Sequence, residues 1–98
     1  MNGKKPNKQE QKWFNAILEH GCVVCRNEMS VYTPAEIHHL NGGSNHLETL
    51  PLCFYHHRAG NNTPEYVSRH PYTDAFEGRY GKETDLLDNL RLEIGDYE

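Results

Sequence analysis

"CVVCRNEMSVYTPAEIHHLNGGSNHLETLPLCFYHHR", residues 22–58, holds all three cysteines and five of the seven histidines of a 98-residue chain. Cys22 and Cys25 form a C-x2-C pair, Cys53 and His56 a C-x2-H pair, and 27 residues separate the two. Two such knuckles supply the four N/S ligands of a closed tetrahedral zinc site. An odd number of cysteines cannot all pair as disulfides within one chain, so metal binding accounts for them better. A redox C-x-x-C wants a strand before it, whereas the residues before Cys22 read as a helix. His20 and His57 are the nearest substitutes should one ligand differ.

Outward from this stretch, "NKQEQKWFNAILEHG" (7–21) reads as a first helix. Asn7 and Glu10 have capping-box spacing, Trp13, Phe14, Ile17 and Leu18 make an apolar stripe, and Gly21 suits the C-terminus. "CVVC" reads as a tight knuckle. Pro34 blocks a helix, and a strand is predicted over about 35–40, followed by an Asn41-Gly42 turn. "LETLPLC" (47–53) returns as a second strand, and "CFYHHRAG" (53–60) is a short helix. A helix over 73–81 and a last one over 82–94, with Leu86, Leu87, Leu90 and Ile94 on one side, complete the chain. Both flanking helices need no role beyond core packing.

The composition bounds the answer. The length fits one domain, and a hydrophobic fraction of 36% with mean hydropathy of -0.88 describes a thin core that a metal staple would help. No run approaches the ~20 apolar residues of a membrane span, and "MNGKKPNKQEQK" lacks a secretion signal, so an intracellular, non-membrane protein is expected. Net charge is -4, but Lys4, Lys5, Lys8 and Lys12 cluster at one end and acids at the other. Binding follows the local field, so these lysines remain candidates for phosphate contact.

Zinc leaves His38, His39 and His57 to be explained. Folding the hairpin back brings His38 and His39 near the helix of His57, where imidazoles can make a second, open cation site. His39 is the candidate general base, because a neutral imidazole suits proton abstraction near pH 7. Neighbours on a strand point to opposite faces, so both histidines serve one site only where the strand ends or twists.

These residues resemble the HNH (His-Me finger, ββα-metal) nuclease motif with its treble-clef zinc. "EIHHLNGG" supplies His38 and His39, "ETLPLC" the middle position and "CFYHH" the last, over residues 22 to about 61. More narrowly, "IHHL", "TLPLCFYHH", "HPY" and "AFEGRYG" are similar to phage-type recombination-enhancement, RecA-dependent nucleases, extending the match to roughly residue 90. The resemblance implies an α+β fold: a small zinc-stapled ββα-metal core flanked by N- and C-terminal helices. Residues 1–12 would form a basic arm and helix start. Residues 13–98 would form a single nuclease domain, with the core motif at 22–61 and a helical part at 73–94.

Carried over, His39 would be the general base, and His38, His57 and Asn61 would hold one catalytic cation. Cys22, Cys25, Cys53 and His56 would hold the structural Zn2+. The catalytic cation would be Mg2+, Mn2+, Ni2+ or Zn2+, since histidine in place of aspartate at position 38 softens the site. Thr49 stands where the general motif has Asn, whose amide ties the loop to the hairpin; a threonine has only its hydroxyl. His70 matches the family's later histidine and is a supporting residue, while His46 is expected in solvent. Lys4, Lys5, Lys8, Lys12 and Arg58 are the candidate DNA contacts, with Arg69 next.

The function so implied is metal-dependent endonucleolytic cleavage of DNA, with little sequence specificity because no element reads as a groove reader. Its setting would be phage recombination in the cytoplasm of a bacterial host. Two rivals stand beside it. One is a non-catalytic zinc module that binds DNA or protein. The other is an accessory nuclease inert on bare DNA and active only with a RecA filament.

Overall fold

A computed structural model describes residues 5–40 and 43–95. Lys4, the expected Asn41-Gly42 turn and the acidic residues Asp96 and Glu98 lie outside the described residues.

The first helix, α1 (Lys8–His20), starts as its capping box dictates. Asn7 Oδ1 accepts the Glu10 N–H at 2.8 Å, and Glu10 Oε1 accepts the Asn7 N–H at 2.9 Å. Two otherwise orphaned amides are thereby satisfied. Trp13, Phe14 and Ile17 are buried, but Leu18 is 36% exposed. The fourth inward place goes to His20, whose ring meets the Gly21 carbonyl at 3.1 Å and Glu93 at 3.2 Å. Lys8 and Lys12 therefore stand on an ordered helix rather than on an arm, and both are exposed.

Gly21 ends α1 with a φ of 81°. A Cβ there would sit 2.7 Å from the Tyr32 ring and 2.8 Å from the Thr33 carbonyl, so both conformation and space demand glycine. The knuckle that follows is more than a turn. It is α2 (Val23–Met29), with Cys22 as its N-cap and the Cys25 N–H donating to Cys22 Sγ at 3.5 Å. Val23-Val24 disfavours helix by propensity, but both valines are buried here, and packing overrides that small penalty.

Strands β1 (Glu36–His39) and β2 (Thr49–Leu52) pair antiparallel, shorter at each end than the expected 35–40 and 47–53. The register sets Glu36 opposite Leu52, Ile37 opposite Pro51, His38 opposite Leu50 and His39 opposite Thr49. All four β2 residues are buried, and β1, α1, α2 and the helices over Phe54–His57 and Glu83–Ile94 all pack on this strand. Helix α3 (Phe54–His57) follows at once, giving a β-β-α order through the middle of the chain. Helices α4 (Thr73–Tyr80) and α5 (Glu83–Ile94) close the core through Phe76 and through Leu86, Leu87 and Leu90.

Candidate functional site

Cys22 and Cys25 bracket the first turn of α2, while Cys53 caps the N-terminus of α3 and His56 lies within that helix. The fold brings the four together, each at most 2% exposed. His56 Nδ1 lies 3.6 Å from Cys22 Sγ, 3.6 Å from Cys25 Sγ and 3.2 Å from Cys53 Sγ, and Cys25 Sγ is 3.9 Å from Cys53 Sγ. A tetrahedron built on Zn–S of about 2.3 Å and Zn–N of about 2.05 Å has edges of roughly 3.8 Å (S···S) and 3.6 Å (S···N). The donor set and its spacing thus fit a tetrahedral metal such as zinc. Hydrogen bonding from Cys22 brings the Cys53 thiol down to about 4, while that bond and burial push Cys22 up.

A second cluster joins β1, α3 and the segment between α3 and α4. One nitrogen from each of His38, His57 and His70 lies within 4.8 Å of the others. The ring centroids are 5.0 Å apart for His38–His57 and 5.3 Å for each pair with His70. The His70 segment is fixed by backbone chemistry. The last carbonyls of a helix lack intrahelical partners. Those of α3 are taken by Ser68 Oγ on Tyr55 O (2.7 Å), Arg69 N–H on His56 O (2.9 Å) and His70 N–H on His57 O (2.9 Å). Asn61, expected as a ligand, enters this arrangement through its backbone: its N–H donates to Ser68 Oγ and its carbonyl accepts the Ser68 N–H. The third imidazole of the cluster is His70, which the sequence ranked only as supporting.

Two carboxylates back the cluster. His38 Nε2 meets Glu83 Oε1 at 3.1 Å, both side chains being 3% exposed, and Arg69 Nε donates to the same oxygen. His57 Nδ1 meets Glu36 Oε1 at 2.8 Å, and Arg58 grips Glu36 through Nε (2.9 Å) and Nη2 (2.7 Å). Burial alone would raise the Glu83 carboxyl, but bonds from His38 and Arg69 outweigh it and bring the group to about 2. Arg58 and then His57 hold Glu36 at about 2 as well. Burial pushes His57 and His70 below the usual imidazole range, and their charged neighbours add to this for His70. Both shifts favour the neutral ring, the form in which an imidazole could hold a cation.

His39 faces the other way, as strand alternation requires. Its Nε2 lies 3.0 Å from His46 Nδ1, and both rings stand edge-on to Phe14. His46, expected in solvent, is half-buried in this stack. Burial, then the His46 and His38 charges, lower the His39 pKa, which keeps its ring neutral near pH 7. Thr49 is fully buried: its hydroxyl donates to the His46 carbonyl at 3.0 Å and accepts the Trp13 indole N–H at 2.8 Å. The tie expected of an Asn amide is made here by a hydroxyl, with Trp13 as its second partner.

Of the expected DNA contacts, Lys5, Lys8, Lys12 and Arg58 are exposed. The Arg58 charge is shared with Glu36, and its guanidinium lies 5.1 Å over the Phe54 ring. Arg69 is buried and engaged with Glu83. Sequence reasoning missed Glu36 and Glu83, and took Arg69 only for a DNA contact. For Glu36 a signal existed, an acid two residues before His38 on the same strand; for Glu83 there was none. No helix among the described residues is long and apolar enough to cross a membrane.

Among curated proteins the chain finds no significant match. Residues 6–93 match the family model described as "Recombination enhancement, RecA-dependent nuclease", which spans both clusters and all five helices save the last residue of α5. With nearly its whole length covered, the chain belongs to the recombination-enhancement, RecA-dependent nuclease family.

Proposed function

We propose that this chain is a metal-dependent endonuclease of the HNH type that hydrolyses DNA phosphodiester bonds with little regard for sequence. The observation that carries this reading is the convergence of His38, His57 and His70, from three separate parts of the fold, within 4.8 Å beside a buried Cys3His cluster. Membership of a nuclease family supplies the class of bond. In this reading Cys22, Cys25, Cys53 and His56 hold Zn2+ and brace the hairpin. His38, His57 and His70 hold the catalytic cation, with Asn61 close in sequence as a further ligand. Three imidazoles favour Mn2+, Ni2+ or Zn2+ over Mg2+. When bound, that cation supplies positive charge for the scissile phosphate and the leaving 3′ oxygen.

The protein's own residues do the rest. His39 is the base. Its Nε2 pairs with His46 Nδ1 at 3.0 Å; in this reading the proton of that bond sits on His39 Nε2, so that His39 Nδ1 keeps the lone pair that takes a proton from the attacking water. Strand β1 ends at His39, and this reading lays the phosphodiester across that end, between the imidazole cluster and His39. Thr49 keeps His46, and through it His39, in place. Cleavage leaves a 5′-phosphate and a 3′-hydroxyl.

The family's description favours action in recombination with RecA, so a RecA filament on DNA is the proposed setting. Nicking of supercoiled plasmid with Mg2+, Mn2+ or Ni2+, with and without the filament, tests this. Cleavage that needs both cation and filament supports the reading. No cleavage under any of these conditions sinks it in favour of a non-catalytic zinc module.

A further inference from the structure

Glu83 is an odd residue to bury. It is the first residue of α5, where a glutamate ordinarily stays in water and gains from the helix dipole. Here its side chain is 3% exposed and turned inward. A carboxylate taken out of water must be matched by donors, and Glu83 Oε1 accepts from both His38 Nε2 and Arg69 Nε. An ion pair with Arg69 alone would anchor α5 to the 68–70 segment. The bond to His38 does something else: it holds the proton on Nε2, leaves Nδ1 as the basic nitrogen, and fixes the ring plane.

The same arrangement occurs a second time. His57 Nδ1 is bonded to Glu36 Oε1, and Glu36 is gripped by Arg58. Each unit is an imidazole, a carboxylate and an arginine in series. In each, the arginine is the chain neighbour of a cluster histidine, Arg58 following His57 and Arg69 preceding His70. A structural salt bridge needs no histidine. Two carboxylates on separate elements, α5 and β1, both end on imidazoles of the one cluster. Ion pairing for its own sake would not select that geometry.

We infer that Glu83 and Glu36 are positioning residues, which set the tautomer and ring orientation of His38 and His57 so that the three-imidazole cluster accepts a divalent cation. The inference rests on the reading of that cluster as a cation site. Neither carboxylate touches the cation or the substrate. They act through the rings, with Arg58 and Arg69 holding each carboxylate in its working rotamer. Glu83 also ties the C-terminal helix to the cluster, since one oxygen is shared between His38 on β1 and the segment that carries His70.

The test uses the full chain with its Cys3His site loaded with zinc. Ni2+ binding is titrated calorimetrically for the wild type, Glu83→Gln, Glu36→Gln and Glu36→Asp. Zinc content, melting temperature and imidazole 15N shifts are recorded for each. Removing such an outer carboxylate typically costs about 10–100-fold in metal affinity. Both Gln variants should weaken Ni2+ by that factor while keeping one zinc per chain, and the 15N shifts of His38 or His57 should leave the Nε2–H or Nδ1–H pattern of the wild type. Glu36→Asp should recover part of the loss. Glu36 is partly exposed, so its variant should melt close to the wild type and decides the matter if Glu83→Gln does not fold. Ni2+ affinity and tautomers unchanged in a folded Glu36→Gln, with the wild type binding Ni2+, would overturn this inference alone. A zinc-loaded wild type that binds no Ni2+ would overturn it together with the cluster reading.

Discussion

Trp13 on α1 donates its indole N–H to the hydroxyl of Thr49 on β2 at 2.8 Å, and that hydroxyl in turn donates to the carbonyl of His46. One buried oxygen therefore joins the first helix, the hairpin and the residue that abuts His39. Replacing Thr49 by valine keeps the shape and removes the oxygen. It takes from the buried Trp13 N–H the acceptor it meets at 2.8 Å, a loss of about 1–3 kcal/mol. Thr49→Val should lower stability by that amount in a denaturant melt and slow cleavage, because the His46 carbonyl loses the Thr49 hydroxyl. Thr49→Ser should restore most of both. A valine variant as stable as the wild type would show that the oxygen is not needed.

The Cys3His cluster makes a second prediction, about metal removal. The apparent free energy of structural zinc in small domains is on the order of 10–16 kcal/mol. A domain's whole stability is about 5–15 kcal/mol, so this term is large enough to decide whether the hairpin folds at all. Elemental analysis of the dialysed protein should find about one tightly held zinc per chain in a site of this type. Cys53→Ala, or stripping with a chelator, should abolish the cooperative melt. An unchanged melting temperature after verified loss of zinc would sink the assignment.

How far the sequence could be read depended on whether the chemistry was local. Cys22, Cys25, Cys53 and His56 were legible because a knuckle places its ligands within one turn, whatever the rest of the chain does. The opposed faces of His38 and His39 were legible from strand alternation. Helix α2 was not, since Val23-Val24 opens a seven-residue helix held by burial rather than by propensity. His70 was undervalued because backbone bonds to the end of α3 put it in the cluster, and no periodicity encodes those. Glu83 reads as an ordinary first-turn acid. Its inward turn depends on His38, 45 residues away, and on Arg69.

A third prediction concerns how DNA is held. Lys8 and Lys12 are exposed, one turn apart on α1, so they present two charges along one face. Each duplex phosphate contact contributes about 0.9 to the slope of log affinity against log salt. Lys8→Ala combined with Lys12→Ala should flatten that slope by up to roughly 1.8 by the same rule, with melting temperature little changed. An unchanged slope would move the contact to Lys5 or Arg58. Arg69, buried against Glu83, is no longer a candidate.

The last prediction separates the base from the ligands. His39 lies across the strand from the imidazole cluster, bonded to His46 and packed on Phe14. His39→Ala should leave fold, zinc content and affinity for the second cation nearly unchanged. It should cut the rate by roughly 10²–10⁴, the usual worth of a positioned general base. His70→Ala removes one of three imidazoles and should act differently. Its rate at low metal should collapse, and excess Mn2+ or Ni2+ should recover part of it, because two imidazoles still offer the cation a weaker seat. Asn61→Ala serves as the comparison: as the further ligand proposed, Asn61 should on removal shift the metal titration in the same direction as His70→Ala. Cleavage measured across a metal titration for the three variants, with melting recorded for each, distinguishes these roles. A folded His39→Ala protein that cuts at the wild-type rate would remove the proposed base, and with it the hydrolytic mechanism built on β1.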